Sequence, residues 1–231
     1  MVDYIPILTT VFATIFFIHL YQHARSKPQA QHLLWWTIGI ATYGLGTLTE
    51  SINAIWGWQL WNFKLWYIMG ALLGGIPLAQ GSVYLLLSKK FGNTTSLIIV
   101  ATILIAAISV LLSPVNLPTD FDQRLSGKVL TWQWVRYFSP FINLYAFVFL
   151  FGGAVYSAFQ YRKAEEQRNR FLGNIFIAIG ALLPGIGGSF TRFGYVEVLY
   201  VTELLGLLAM YQGYQIIKKD SSKSIYQVQN I

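Results

Sequence analysis

The chain contains no cysteine. That excludes disulfides, thiolate metal sites and cysteine nucleophiles together. Charge is nearly as scarce: only 11% of the residues are Asp, Glu, Lys or Arg, against about 25% in a soluble domain. Hydrophobic residues make up 55%, and the mean hydropathy is +0.51. A chain so poor in charge cannot clothe a water-soluble fold of this size in a polar shell. Acids are the scarcer sign, nine against sixteen lysines and arginines, for a net charge of +7. A basic excess can mark a nucleic-acid binder. Here the cations sit in connectors between apolar runs, so the lipid bilayer is the expected partner and nucleic acid is not.

Catalytic signatures are missing as well. The sequence has no Gly-x-Ser-x-Gly, no His-Glu-x-x-His and no phosphate-binding loop. Its three histidines are His19, His23 and His32. His19 and His23 are four apart on one helical face, a workable geometry for a metal, but no acid stands near them to complete a shell. No other apolar segment offers an imidazole for haem. The last apolar segment has no lysine, so a retinal Schiff base has no attachment point, and the histidine-rich zinc pattern of seven-helix ceramidases is missing. No cofactor or metal is expected, and an enzyme is disfavoured.

What is present is a series of apolar runs. A spanning helix needs about 20 mostly apolar residues, and seven such segments emerge, at about 5–22, 33–56, 65–87, 96–112, 137–161, 171–190 and 196–217. Each is apolar on all sides, so lipid or other helices must surround it. The expected fold is an all-α bundle of seven transmembrane helices in a single domain, 1–231, ending in a short basic tail, 218–231. Residue Asp3 stands where a signal peptide carries Lys or Arg, so the first segment reads as a retained helix.

The connectors are of two kinds. Arg25 and Lys27, Lys89 and Lys90, Arg162 to Arg170, and Lys218, Lys219 and Lys223 hold eleven of the sixteen cations. The connectors at 58–64, 113–136 and 191–195 are poorer in them. The two kinds alternate strictly. Cytoplasmic loops hold the excess of Lys and Arg, which puts the N-terminus outside, the C-terminus in the cytoplasm and the protein in the cell membrane. Trp56, Trp58, Trp61, Trp66 and Tyr67, with Trp132, Trp134 and Tyr137, would then form an outer aromatic belt. The 113–136 connector, with Pro114, Pro118, Asp120 and Asp122, is too polar to enter the bilayer and is expected to cover the outer mouth. The stretches Gly70 to Gly75 and Gly180 to Gly185 look alike and mark expected close helix contacts, with Gly74 and Gly185 among the packed positions. Pro77 and Pro184 are expected to kink their helices.

Ionisable groups inside spans cost about 2.5–3.5 kcal/mol on insertion scales and are functional hypotheses by default. Two qualify: Glu50 in the second segment and Glu203 in the seventh. Each stands six or seven residues from the outer end, so both are placed roughly 10 Å deep in the outer half. Asn53 shares the face of Glu50 at i+3. Arg136 and Arg192 end spans on the same side and could supply a cation, and Trp66 and Tyr67 could line a rim. The expected site is thus a ligand-binding pocket of Glu50, Asn53, Glu203, Arg192, Arg136, Trp66 and Tyr67. Gln80, Ser82, Asn143 and Asn174 are the other embedded polar groups.

The run Leu34-Trp35-Trp36, Tyr43-Gly44, Glu50, Trp66-Tyr67, Gly70, Pro77 and Tyr84-Leu85-Leu86 resembles the seven-helix N-terminal sensor region of bacterial histidine kinases and related stand-alone bacterial membrane proteins. The resemblance covers roughly the first 90 residues. It implies a receptor- or sensor-like bundle binding a small or lipidic ligand. The 218–231 tail contains no kinase or cyclase sequence, so the resemblance further implies signalling through a membrane or cytoplasmic protein partner. A proton-coupled carrier and an accessory subunit of a larger membrane complex are the alternatives.

The charge pattern predicts that a reporter fused after Ile231, or placed near Arg168, reads cytoplasmic and one near Asp122 reads external. A cytoplasmic reading at Asp122 would reverse the topology.

Overall fold

The computed structural model describes residues 2–117, 124–163, 165–191 and 193–229. Pro118, Asp120, Asp122 and Arg192 lie outside the described residues. The described chain is all-α, and its one β-feature is an isolated antiparallel bridge between Val115 and Leu130. Five helical stretches are long and apolar enough to cross a membrane: Val2–Ser26, Leu60–Leu86, Lys89–Leu112, Gln133–Tyr161 and Arg168–Thr191. Two more long helices, Gln31–Trp56 and Val196–Gln229, have the length. Thr, Gly and Trp in the first, and Glu, Gln and Lys in the second, lower their apolarity. Large apolar side chains point outward: Leu97, Ile98, Leu104, Ile105, Leu111 and Leu112 of one helix are all exposed. A surface of this kind calls for lipid rather than water.

The chain divides into two compact units, 1–146 and 147–231. The first begins with α1 (Ile5–Ser26), which accepts Pro6 in its first turn, where the missing N–H bonds nothing anyway. Helix α2 (Gln31–Trp56) ends at Gly57, whose φ of 73° and whose N–H to the Asn53 carbonyl at 2.9 Å close the helix in the left-handed region that glycine adopts freely. The α1–α2 seam is built of small and hydroxyl side chains. The Thr10 hydroxyl donates to Thr47 at 3.0 Å and lies 3.3 Å from Ser51 Oγ. One helix turn on, a Cβ on Gly44 would meet Ala13 at 3.2 Å.

The 58–64 connector is mostly helix. Only Gly57, Trp58 and Gln59 separate α2 from α3 (Leu60–Trp66). The polar residues that read as loop have tertiary partners. Asn62 is fully buried and donates through Nδ2 to the Thr49 carbonyl at 2.8 Å. Lys64 reaches the carbonyls of Leu111 and Ser113, at 2.6 and 3.2 Å. There its ammonium meets the negative end of another helix.

The Leu60–Leu86 stretch is broken rather than simply kinked. A π-helix, Tyr67–Leu72, follows α3. A bend at 73–75 then leads into α4 (Ile76–Leu86), with Pro77 in the first turn of the new helix. Helix α5 (Lys89–Leu112) starts seven residues before its expected beginning, capped by the Ser88 hydroxyl on the Phe91 N–H at 3.3 Å.

The described part of the 113–136 connector contributes to the core. Asn116 N–H bonds the Val129 carbonyl and Thr131 N–H the Pro114 carbonyl, both at 2.9 Å, and this pins the strand-like pairing. Leu125, Val129, Leu130 and Val135 drop into the core beside Phe63, Tyr67, Leu72, Ile76, Val110 and Ile142. Helix α6 (Phe138–Ala146) completes this unit.

The second unit runs from a π-helix (Phe147–Gly152) through α7 (Gly153–Tyr161) to the hairpin of α8 (Arg168–Thr191) and α9 (Val196–Gln229). The hairpin seam has a period of seven. A Cβ on Gly173 would come 2.9 Å from the Gly213 carbonyl, one on Gly180 2.5 Å from the Gly206 carbonyl, and one on Gly187 2.8 Å from Leu199 Cα. Seven residues are two helix turns, so one stripe of each helix stays in contact along its length. Backbones this close gain van der Waals contact that larger residues would forbid, the main source of helix association in lipid. Helix α8 continues through Pro184, whose ring would touch a Cβ on Gly206. At the far end Asp220 accepts from Asn169 at 3.3 Å and pairs with Arg170 at 3.4 Å.

Two packing expectations need correction. A Cβ on Gly185 would meet nothing within 4 Å, and one on Gly74 would meet only the Gly70 backbone of its own turn. The interhelical positions are Gly180, one period away from each neighbour in its stripe, and Gly46, which faces Gly70 at 3.4 Å. Gly180→Leu should therefore lower the melting temperature of the detergent-solubilised protein by roughly 2–12 °C, since overpacking costs about 1–3 kcal/mol. Gly185→Leu should leave it nearly unchanged. Equal losses for both would refute this register.

Candidate functional site

The Glu50 carboxyl lies where α2, α3 and the π-helix converge. Glu50 is 4% exposed, and its Oε1 accepts from the Trp66 indole N–H at 3.1 Å. Helix α3 presents Trp66 and Asn62 on one face, since they are four residues apart. That face meets α2 at Thr49 and Glu50. Trp66 is the last residue before the helix widens into the π-turn, a distortion that π-bulges commonly introduce at functional positions.

An aromatic cluster surrounds this seam. Trp58 stacks on Phe63 at 5.8 Å, Phe63 lies 6.2 Å from Trp66 and 6.3 Å from Tyr67, and Trp66 meets Tyr67 edge-on at 6.2 Å. A Cβ on Gly127 would strike the Tyr67 ring at 2.6 Å, so the 113–136 segment packs directly on the cluster. Tyr67 is thus buried and Trp66 partly buried within this cluster. Trp56 and Trp61, by contrast, are exposed.

The other expected site residues fall as follows. Asn53 is on α2, one turn beyond Glu50, with its side-chain oxygen sealed from solvent. Arg136 is exposed and donates to Gln133 at 2.7 Å. Arg192 lies outside the described residues. Glu203 is on α9 in the second unit, with Oε2 sealed from solvent. The structure therefore joins Glu50 to Trp66, and Trp66 to Tyr67, within the first unit.

A second polar cluster was legible only through Gln80, and it includes residues that the sequence left among connectors. Gln80 is fully buried on α4. Its amide N–H groups bond the Gly92 carbonyl at 2.9 Å and Ser96 Oγ at 2.9 Å, and its carbonyl accepts from the Tyr145 hydroxyl at 2.6 Å. The Tyr84 hydroxyl extends the chain to Ser96 and Asn93, each at 2.9 Å. Every Gln80 group is satisfied, so this cluster ties α4, α5 and α6 together. Asn174 donates to the Arg170 carbonyl at 2.8 Å, and Asn143 is exposed. Asn62 is the functional candidate the sequence reading missed. Its position four residues before Trp66 was the available signal.

Among the described residues no group of three or more His, Cys, Asp or Glu could hold a metal ion. His32, at the start of α2, has its imidazole held below the usual pKa of 6.5 by burial and by the charge of Lys27. It stacks edge-on against Trp36 at 5.2 Å.

No protein-family model matches this chain, and no curated protein matches it.

Removing the indole donor should weaken the site. A buried hydrogen bond contributes about 0.5–1.5 kcal/mol, so Trp66→Phe should be destabilising by at least that much, whereas Arg136→Ala should stay within about 0.5 kcal/mol of wild type. In a double-mutant cycle Trp66→Phe and Glu50→Gln should couple by about 0.5–3 kcal/mol. Strict additivity in thermal melts would show that the two side chains act independently.

Proposed function

We propose that this chain is a seven-span protein of the cell membrane, N-terminus outside, and that its first unit is a receptor- or sensor-like module for a small or lipidic ligand bound around Glu50. The carrying observation is the Glu50 carboxyl, almost sealed from solvent and held by an indole N–H at an irregular turn of α3. A carboxyl in such surroundings is costly. A bundle that needed only packing would do better with an apolar side chain there. The 113–136 segment packs on the same aromatic cluster and offers a means by which occupancy could alter the outer surface. The alternation of basic and cation-poor connectors supports the orientation. The sensor resemblance of the first 90 residues supports the class.

A carrier is the second reading, favoured by one observation. The Leu60–Leu86 span is interrupted by a π-turn and a bend beside the carboxylate, and interrupted helices form the binding sites of many transporters. The two readings differ in one measurable respect. A sensor stabilised by its ligand moves no solute in liposomes, whereas a carrier gives flux.

Mass spectrometry of the natively purified protein should find a co-purifying small molecule or lipid that is reduced at least tenfold in Glu50→Gln and retained in Arg136→Ala. Identical ligand content in wild type and Glu50→Gln would refute a ligand role for Glu50.

A further inference from the structure

We propose that the basic end of the second unit, where the end of α7 meets the start of α8 and Lys219 of α9, binds the headgroups of anionic phospholipids. This binding goes beyond the Glu50 reading and involves the second unit alone. It requires only that the helices lie in a bilayer, whichever leaflet this end meets.

Cations distant in sequence meet here because the helices do. Arg162 and Lys163 follow α7, Arg168 and Arg170 open α8, and Lys218 and Lys219 stand far along α9. The glycine stripe brings α8 and α9 together at this level. A Cβ on Gly173 would come 2.5 Å from the Ile217 side chain and 2.9 Å from the Gly213 carbonyl. Asp220 reaches back to α8, accepting from Asn169 at 3.3 Å and pairing with Arg170 at 3.4 Å. The Arg170 guanidinium also lies 5.7 Å from the centre of the Tyr161 ring, which ties the last turn of α7 to the same corner. The stretches 162–170 and 218–220 hold six cations against three acids, and Asp220 is already engaged with Arg170. Arg162, Lys163, Arg168 and Lys219 are exposed.

The partner that fits these cations is amphiphilic, because the exposed surface turns apolar along each helix. The Arg162 guanidinium lies 5.4 Å from the centre of the Phe159 ring, which is itself exposed. On α8, Arg168 stands four and eight residues before Leu172 and Phe176, both exposed on the same face. On α9, Lys219 shares its face with exposed Leu208 and Leu205, eleven and fourteen residues back. An acidic segment of a soluble protein would match the charge and leave these apolar side chains in water. A phospholipid covers both, with its phosphate on the cations and its acyl chains along the apolar stripes. Long basic side chains that lie along apolar surface and end in the polar layer suit the headgroup boundary. A zwitterionic headgroup carries its own ammonium, so a net positive face selects lipids of net negative charge.

The test uses the full-length protein reconstituted in phosphatidylcholine bilayers with a trace of spin-labelled phosphatidylglycerol or spin-labelled phosphatidylcholine. Electron paramagnetic resonance separates lipid held at the protein surface from bulk lipid and gives the relative affinity of the two labels. The wild-type protein should prefer phosphatidylglycerol by about threefold or more, and the preference should shrink as salt is raised. The combined variant Arg162→Gln, Lys163→Gln, Arg168→Gln, Lys219→Gln should lose about half of that preference or more. Lys128→Gln, an exposed cation of the first unit, should keep it. Equal affinity for both lipids in the wild type, or an undiminished preference in the combined variant, would overturn the proposal. If the combined variant does not reconstitute, Arg168→Gln and Lys219→Gln singly carry the test, each lowering the preference. An acidic protein that co-purifies with a wild type lacking lipid preference, and is lost in the variant, would assign this face to that protein and overturn the proposal. The Glu50 reading is decided by a different variant and stands or falls separately.

Discussion

Inside an apolar surrounding, every polar atom must find its partner within the chain. Water is not there to supply one, and an unmet group costs several kcal/mol. This constraint accounts for most of what is distinctive in the fold. Asn62 turns inward to the Thr49 carbonyl, Lys64 closes the C-terminal end of α5, and Gln80 spends its whole amide on α5 and α6. Many threonine and serine side chains on the helices return their hydroxyl protons to a carbonyl three or four residues earlier, as Thr37, Thr49 and Thr202 do. Each of these groups would otherwise be a defect.

The same constraint shapes the break in the Leu60–Leu86 stretch. A π-turn and a bend leave backbone groups without regular helical partners. Here Leu73 N–H is retained by the Ile68 carbonyl at 3.0 Å and Gly74 N–H by the Gly70 carbonyl at 3.2 Å. Gly46 allows α2 to come close at that level. The irregular turn carries the chain on from Trp66, whose indole has just met Glu50. Local backbone distortion, a buried carboxyl and a donor aromatic side chain therefore occur together. Leu125, Val129, Leu130 and Val135 pack their apolar side chains into the same core.

The α8–α9 hairpin solves a different problem. Lipid tails are as apolar as leucine, so hydrophobicity does not drive two such helices together. Close backbone approach does, and the seven-residue spacing of Gly173, Gly180 and Gly187 against Leu199, Gly206 and Gly213 provides it along the seam. Gly185 and Gly188 fall off that stripe and meet nothing, although in sequence they look like equally good packing positions. A small residue permits contact. Only its phase relative to the partner helix decides whether contact occurs.

The sequence by itself determined that the chain is helical and lipid-adapted. Long apolar runs and scarce charge admit few other solutions, because backbone groups in lipid must bond within their own segment. Glu50, Trp66 and Tyr67 could also be singled out in advance, since a carboxyl or an indole inside a long apolar run stands out by its cost. What only the tertiary structure decided is which polar residues face inward. Nothing in the local pattern around Asn62 or around Gly92 to Ser96 distinguishes a connector from a helix whose polar face has a buried partner. Their partners, Thr49 and Gln80, lie 12 to 16 residues away in sequence, beyond the reach of any helical periodicity. A polar side chain reads as surface until the helix opposite supplies the group that satisfies it.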